Sequence, residues 1–403
     1  MSLPILIVGA GPTGLCLATA LAKHGIRSEV FESLPELSGE ARASTFHPRT
    51  LEMLHEWGVL DEIVQRGYKV HRLQFWERET RELIAQFDYD AIKHDTHFPF
   101  RLQCPQSILT RVLKPLVEQT GLCKVHFSHK LIDLVDAGDH VEARFETPDG
   151  ARCVSGRIVC GADGSRSATR KALDIPFEGK TYEDRFLLIA CDLDLKPIFG
   201  DFGPVSYLFD PHEWVIVLHL PDVTRVVFRL RDDEHEIAAQ QPHAVRERIR
   251  RFIYSSGNPH SAHRSPPTDS EMFIKDTSVY KVHQRVADTF HKGNVVLLGD
   301  AAHINNPMGG MGMNSGIHDA YHLASAIMSG LKSGGDYLAE WATARRAFAL
   351  SDVQPTTDKN YVDMSAQDET YRLTRNRELR EIASDPKRAR EYLLRSAMLE
   401  ERI

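Results

Sequence analysis

Residues 8–14 read Val8-Gly9-Ala10-Gly11-Pro12-Thr13-Gly14. The run before them, Leu3 to Val8, is compact and apolar, as expected of a parallel strand covered on both faces. After them come a helical stretch, Leu15 to His24, and a second strand, Arg27 to Glu32, that ends in an acid. Strand, glycine turn, helix, strand and terminal acid together form a dinucleotide-binding arrangement. Gly9 permits the tight turn, Gly11 lets the backbone approach a pyrophosphate, and Gly14 allows the helix to pack closely on the strand. Pro12 and Thr13 open the helix, whose free N–H groups and partial positive charge favour phosphates. Glu32 stands where a carboxylate accepts hydrogen bonds from ribose hydroxyls. This motif alone does not separate a flavin dinucleotide from a nicotinamide one.

The 403 residues leave room for two domains, and the net charge of −7 argues against a nucleic-acid partner, since no basic excess exists to neutralise phosphates. Six cysteines at irregular spacing, with no Cys-x-x-Cys pair, suggest neither a disulfide framework nor a zinc site. They read as reduced thiols of a cytoplasmic protein. No run approaches the ~18 consecutive apolar residues of a membrane span. The first apolar run is cut short by Gly9 and Gly11, so it reads as a strand and not as a signal segment.

Two further blocks narrow the cofactor. Residues 160–166 read Cys-Gly161-Ala-Asp163-Gly164-Ser-Arg166, and residues 295–316 read Val-Val-Leu-Leu-Gly299-Asp300-Ala-Ala-His303-Ile-Asn-Asn-Pro307-Met-Gly-Gly310-Met-Gly312-Met313-Asn314-Ser-Gly316. In the second block a Val/Leu strand ends in an acid, and a glycine-rich turn leads to a helix starting near Met313. An acid at a strand end can bind sugar or ribityl hydroxyls. The helix N-terminus can stabilise negative charge, and the glycines let the backbone pass close to a flat ring.

From about residue 3 to residue 330, the order and spacing of these blocks resemble the class A flavoprotein monooxygenases, the aromatic-ring hydroxylases that include para-hydroxybenzoate hydroxylase. The resemblance implies an α/β fold with a Rossmann-type FAD-binding domain in three pieces, 1–72, 98–175 and 274–333. An antiparallel β-sheet substrate domain, 73–97 and 176–273, is inserted in it, and 334–403 form a helical C-terminal region. It also implies non-covalent FAD, NADH or NADPH as electron donor, O2, and a small phenolic or carboxylated aromatic substrate hydroxylated through a flavin C4a-hydroperoxide. Residue by residue, the resemblance assigns Arg42 to the pyrophosphate or ribityl region, Gln106 to the flavin, and Leu131 to adenine through its backbone. Asp163 serves FAD and the nicotinamide, and Asp300 holds ribityl oxygen. Pro307 lies over the reacting side of the ring, Gly310 and Gly312 pass beside it, and Met313 and Asn314 lie near the flavin carbonyl. Where most relatives carry Gly-Gln-Gly, this chain has Gly310-Met311-Gly312. No arginine follows Glu32 to meet a 2′-phosphate, which leans towards NADH, although the family's reductant docks outside the Rossmann turn.

From about 176 to 273 the pattern changes to alternating strands. Even positions are apolar from Trp214 to Leu220, and Arg225, Arg229 and Arg231 share a face opposite Val226, Phe228 and Leu230. That arginine stripe reads either as a grip on a substrate carboxylate or, more simply, as a face turned to water. His47, Arg49 and His219 are candidates to line the pocket. A histidine suits removal of a phenol proton near neutral pH. The catalytic candidates are thus His47, His219, Arg225 and Pro307.

His318 and His322 have the spacing of a helical zinc pair, but they fall on a polar stripe with Ser325 and Ser329, which reads as a solvated face with no metal. No second glycine fingerprint follows a strand, so no separate nicotinamide domain is expected. The charged amphipathic helices after Gly334-Gly335 have two roles open to them, packing across the sheet domain or a homodimer contact. Two rival functions share the cofactor: an FAD dehydrogenase or oxidase without oxygen insertion, and a non-catalytic flavin sensor.

Overall fold

The computed structural model describes residues 3–39, 43–192, 195, 200–254 and 273–400. Its first layer is a six-stranded sheet in the order 291–292, 295–297, 158–161, 5–8, 28–31, 123–126. All pairs are parallel except the two-residue edge His291–Lys292. The register sets Val8 beside both Phe31 and Gly161, and Gly161 beside Leu297. The turns that follow these strands therefore leave the sheet along one edge.

The sheet is buried on both faces. One face takes the helices Pro12–Lys23, Gln106–Gln119 and Gly312–Ser333, which share a core of Leu15, Leu17, Leu109 and Ile317. The other takes a three-stranded antiparallel sheet formed by 130–136, 141–147 and 150–156. Its Phe145 ring stacks on Phe31 with centroids 4.3 Å apart, and Leu131 is buried in the same cluster.

The second lobe is an eight-stranded sheet in the order 303–304, 274–287, 177–191, 224–229, 215–219, 205–209, 72–77, 83–88. It departs from the expected antiparallel sheet at one place, where Val205–Phe209 runs parallel to Arg72–Glu77. The hairpin 72–88 enters from the cofactor lobe far earlier in the chain, so its direction is not set by a turn shared with 205–209. The boundary expected at residue 274 also shifts: Ile274–Ala287 pairs along its length with Phe177–Cys191 as a strand of this sheet. These two long strands carry the chain out of one lobe and back into it.

A small sheet lies between the lobes, with Arg101–Gln103 flanked by Thr45–Phe46 and Tyr68–Val70. The C-terminal helices lie over the large sheet: Glu369–Ser384 packs on the strand Leu83–Asp88 and Pro386–Ser396 on the turn Tyr89–Ile92. No helix among the described residues is long and apolar enough to cross a membrane.

Candidate active site

The three glycine turns meet at the sheet edge. Gly9 has φ +105°, and a β-carbon there would stand 2.4 Å from the Ala162 carbonyl oxygen, so this turn and the Asp163 turn touch backbone to backbone. At Gly14 a β-carbon would lie 2.0 Å from the Gly9 oxygen, which only glycine tolerates. In front of Gly11 nothing lies within 4 Å. That open approach, at a helix N-terminus, fits a pyrophosphate. Glu32 braces the turn from the next strand, since its Oε2 accepts from Ala10 N–H at 2.8 Å and its Oε1 from Leu34 N–H at 2.9 Å. Asp163 is engaged locally, accepting from the Thr169 N–H at 2.9 Å and from the Ser167 and Thr169 hydroxyls. Its carboxylate orders its own turn and the short helix behind it.

Thr13 links the first turn to the third. Its Oγ1 would lie 2.6 Å from a β-carbon on Gly299 and 2.4 Å from one on Gly316. Behind Gly299 sits Asp319, fully buried. Its Oδ2 accepts from Gly299 N–H at 2.9 Å and contacts His303 Nε2 at 2.7 Å, while Oδ1 accepts from Arg345 Nε at 2.6 Å. Burial works to raise the Asp319 pKa, but His303, Arg345 and these hydrogen bonds outweigh it and hold the carboxyl well below the usual range. Asp300 itself is exposed at the turn, as is Pro307. The helix beginning at Gly312 offers the first-turn N–H groups of 312–314 towards the same space. Beside Gly312 the Asn305 side-chain amide is buried with neither Oδ1 nor Nδ2 partnered. An unpaired amide at a helix N-terminus suits a ring edge that carries both donor and acceptor groups, as a flavin does.

Asn314 joins this helix to the segment 45–50. Its Oδ1 accepts from His47 N–H at 3.0 Å and from the Thr50 hydroxyl at 2.6 Å, while its Nδ2 donates to the Thr45 and Gly310 carbonyls at 2.8 and 2.7 Å. With that amide saturated, only its backbone is available to a ligand. Gln106 begins the helix behind, with Oε1 3.4 Å from Ala43 N. Arg42 lies outside the described residues.

His47 is fully buried, with Nε2 2.9 Å from the Gly309 carbonyl oxygen. A carbonyl only accepts, so Nε2 carries the proton and Nδ1 keeps a lone pair. That Nδ1 has no partner. Burial first, then the Arg101 charge, hold the His47 pKa well below its usual value, so the ring is neutral at pH 7. His318, expected on a solvated face, is instead fully buried with Nε2 3.0 Å from the Thr50 hydroxyl. The amphipathic pattern misled because the segment 45–50 covers that helix face.

Across the seam stands an aromatic wall. Phe75 stacks on Tyr207 at 5.4 Å, Phe87 on Tyr392 at 4.2 Å, and the Arg101 guanidinium lies 5.8 Å from the Tyr89 ring centre. The 304–312 loop reaches into this lobe through Met308, buried in the same core as Tyr89 and Tyr207. His219 meets the seam edge-on to Tyr68 at 4.6 Å, its Nδ1 3.2 Å from the Thr224 hydroxyl. The arginine stripe does not hold as one solvated face. Arg225 is buried, Arg229 binds Asp184 at 2.8 Å, and Arg231 alone is exposed. The strand Thr224–Arg229 ends before Arg231, and the neighbouring acid Asp184 takes Arg229.

A family profile described as "FAD binding domain" matches residues 2–355. The chain belongs to the class A FAD-binding aromatic monooxygenase family. It is 28% identical over 392 residues to para-nitrophenol 4-monooxygenase of Pseudomonas sp. (strain WBC-3), covering 97% of this chain and 94% of that one. It is 29% identical over 325 residues to pentachlorophenol 4-monooxygenase of Sphingobium chlorophenolicum, 80% of this chain but 57% of the relative. The crystal structure of p-nitrophenol 4-monooxygenase PnpA from Pseudomonas putida DLL-E4 superposes with a TM-score of 0.90 at 28% identity, covering 100% of this chain and 99% of that one. FAD is the cofactor, and the protein is an FAD-dependent monooxygenase acting on an aromatic substrate.

Within this monooxygenase, the Gly9 and Asp163 turns touch, Thr13 joins the Gly9 turn to Gly299, and His47 is bound to Gly309, whereas His219 contacts Tyr68 and Thr224. Arg225 stands apart, beside Tyr280 and Asp276. The sequence reading missed Arg101, Tyr89, Tyr207, Tyr392 and Asn305. For Arg101 a signal existed: a lone charge in Phe98-Pro-Phe-Arg101-Leu-Gln103, a segment otherwise fit for burial.

Proposed function

We propose that the protein inserts one atom of O2 into a phenol-type ring, with NADH or NADPH as reductant. The carrying observation is the fixed tautomer of His47, a buried neutral imidazole whose Nε2 is tied to Gly309 of the glycine loop and whose Nδ1 is left bare. Bound FAD supplies the redox and oxygen-transfer chemistry, which no side chain can. The protein supplies placement. In this reading Gly9, Gly11, Pro12, Thr13, Gly14 and Glu32 take the adenosine and phosphates, with Leu131 and Asp163 behind them. Gln106, Asp300, Gly310, Gly312, Met313 and Asn314 take the ribityl chain and ring, with Pro307 on its reacting side.

The phenol hydroxyl donates to His47 Nδ1. Accepting that hydrogen bond, or the proton itself, raises electron density on the ring and makes it the nucleophile that an electrophilic oxygen needs. The Gly309 carbonyl holds the imidazole so that Nδ1 cannot rotate away. Water is excluded because His47, Arg101 and Met308 are all buried between the lobes. The relatives named for nitrophenol and pentachlorophenol make acidic phenols the first compounds to assay.

The test is turnover of such phenols under 18-O2 with mass spectrometry of the product. One labelled oxygen per product supports the reading, and unlabelled product would replace it with a dehydrogenase.

A further inference from the structure

We propose that Arg101, with Tyr89, Tyr207 and Tyr392, forms a subsite for an oxyanion carried by the aromatic substrate, either a phenolate oxygen or a ring carboxylate. The inference rests on the phenol-type reading above and extends it to a charge.

Arg101 is 3% exposed, and among the described residues it has no carboxylate at ion-pair distance. Arg248 and Arg345 are as deeply buried, and each is held by an acid: Arg248 by Glu213 and Glu234, Arg345 by Asp319. A guanidinium cannot shed its proton inside a protein, so burial without a counter-charge is a standing cost. The groups that face Arg101 are tyrosines from three separate elements: Tyr89 from the turn after the 83–88 strand, Tyr207 from the large sheet, and Tyr392 from the C-terminal helix. His47 faces it from the cofactor side. Burial raises the Tyr89 and Tyr392 pKa values above the usual phenol range, so neither supplies Arg101 with a counter-charge at neutral pH.

The polar atoms left over point the same way. Arg101 Nε and His47 Nδ1 are buried without a hydrogen-bond partner, and the polar groups beside the buried Tyr89 hydroxyl are Arg101 and Ser396. Two donors and one acceptor, in a wall of rings, match an ionisable oxygen on a flat aromatic body. The oxygen accepts from Arg101 and Tyr89, and while protonated it donates to His47. The stacked rings of Phe75, Phe87, Tyr207 and Tyr392 supply the apolar surface. Such an anion gives Arg101 the counter-charge the chain withholds.

The test uses the full-length, FAD-loaded oxidised protein and reads ligand binding by the perturbation of flavin absorbance, with no turnover needed. The probes, used at about pH 7.5, are pentafluorophenol and benzoate, both ionised there, and unsubstituted phenol, which is neutral. Wild type should bind at least one of the two anions roughly 10-fold or more tighter than phenol, as expected for a charge-assisted hydrogen bond. Pentafluorophenol preference identifies the phenolate as the source, and benzoate preference the carboxylate. In Arg101→Met that preference should vanish while phenol affinity changes by less than about 3-fold. Arg101→Lys should restore part of it. Equal binding of all three probes by wild type overturns the proposal even if no variant folds. So does an Arg101→Met protein that keeps FAD and the anion preference. Because no product is measured, failure of the 18-O2 assay would leave this result standing, and the reverse holds too.

Discussion

Arg345 Nε donates to Asp319 Oδ1 at 2.6 Å, with neither side chain more than 1% exposed. The other oxygen of the same carboxylate accepts from Gly299 N–H. A C-terminal helix thus holds the turn that presents Asp300 through a single buried acid. Removing one partner of a buried pair leaves an unpaired charge and costs about 3–5 kcal/mol. Arg345→Met should therefore lower the urea midpoint and weaken FAD binding at least ~10-fold. Equal FAD affinity in titrations of the two proteins would show that the turn stands without this pair. The pH dependence follows in sign. The Asp319 pKa is lowered on folding, so its contribution is complete above the unfolded value of about 3.9, declines as pH falls below it, and is lost below the folded value. Arg345→Met should shift acid unfolding to higher pH.

Gly11 and Gly14 should respond differently to the same substitution. A β-carbon at Gly14 would collide with the Gly9 carbonyl, whereas one at Gly11 would meet nothing within 4 Å. Gly14→Ala should lose the native fold or bind no FAD. Gly11→Ala should fold with a melting temperature close to wild type and a weakened FAD affinity. Circular dichroism melts with fluorescence titration separate the two, and an FAD affinity unchanged in Gly11→Ala would remove the phosphate from that space.

His47→Gln should keep FAD and lower kcat by about 100- to 10,000-fold, the usual range for losing a positioned acid–base group. Because the His47 pKa is lowered on folding, the unfolded chain takes up a proton below about pH 6.5 that the folded one refuses. Stability therefore falls as pH drops through that region. The variant should show a shallower loss between pH 6.5 and roughly 5. Denaturant melts across pH check the slope, and stopped-flow product formation checks the rate.

Met311→Gln should destabilise the fold. The Met311 side chain is buried against Val353, Met398 and Phe348 of the C-terminal helices. An amide placed there finds no partner and costs about 1–3 kcal/mol. An unchanged urea midpoint would mean that the tail does not grip the loop at this point.

The glycine turns were legible because their requirements are local: a positive φ at Gly9 and a backbone contact at Gly14 leave no other residue possible. His47 was legible as a site candidate by its place in a motif, but its tautomer was not, because Gly309 lies 262 residues away. Arg101 was invisible for a related reason. Its meaning depends on the acids absent around it and on Tyr89, Tyr207 and Tyr392, gathered from three elements. The His318 face failed because helical periodicity reports two-sided character and not which partner covers the second side. Met311 stood out in the sequence between Gly310 and Gly312, but nothing there showed that the tail would receive its side chain.

The strand order has a consequence for synthesis. Ile5–Val8 finds Ser28–Phe31 almost at once, but Ile158–Gly161 waits for Val295–Leu297, which emerges only after the whole inserted sheet. Until then the cofactor lobe presents an unpaired, wholly apolar strand edge, the kind of surface on which nascent chains aggregate. The turn bearing Asp300 follows Val295–Leu297 directly. The turn that carries Asp300 can therefore take its place only late in synthesis, after the strand edge of Ile158–Gly161 has stood open through the making of the whole inserted lobe.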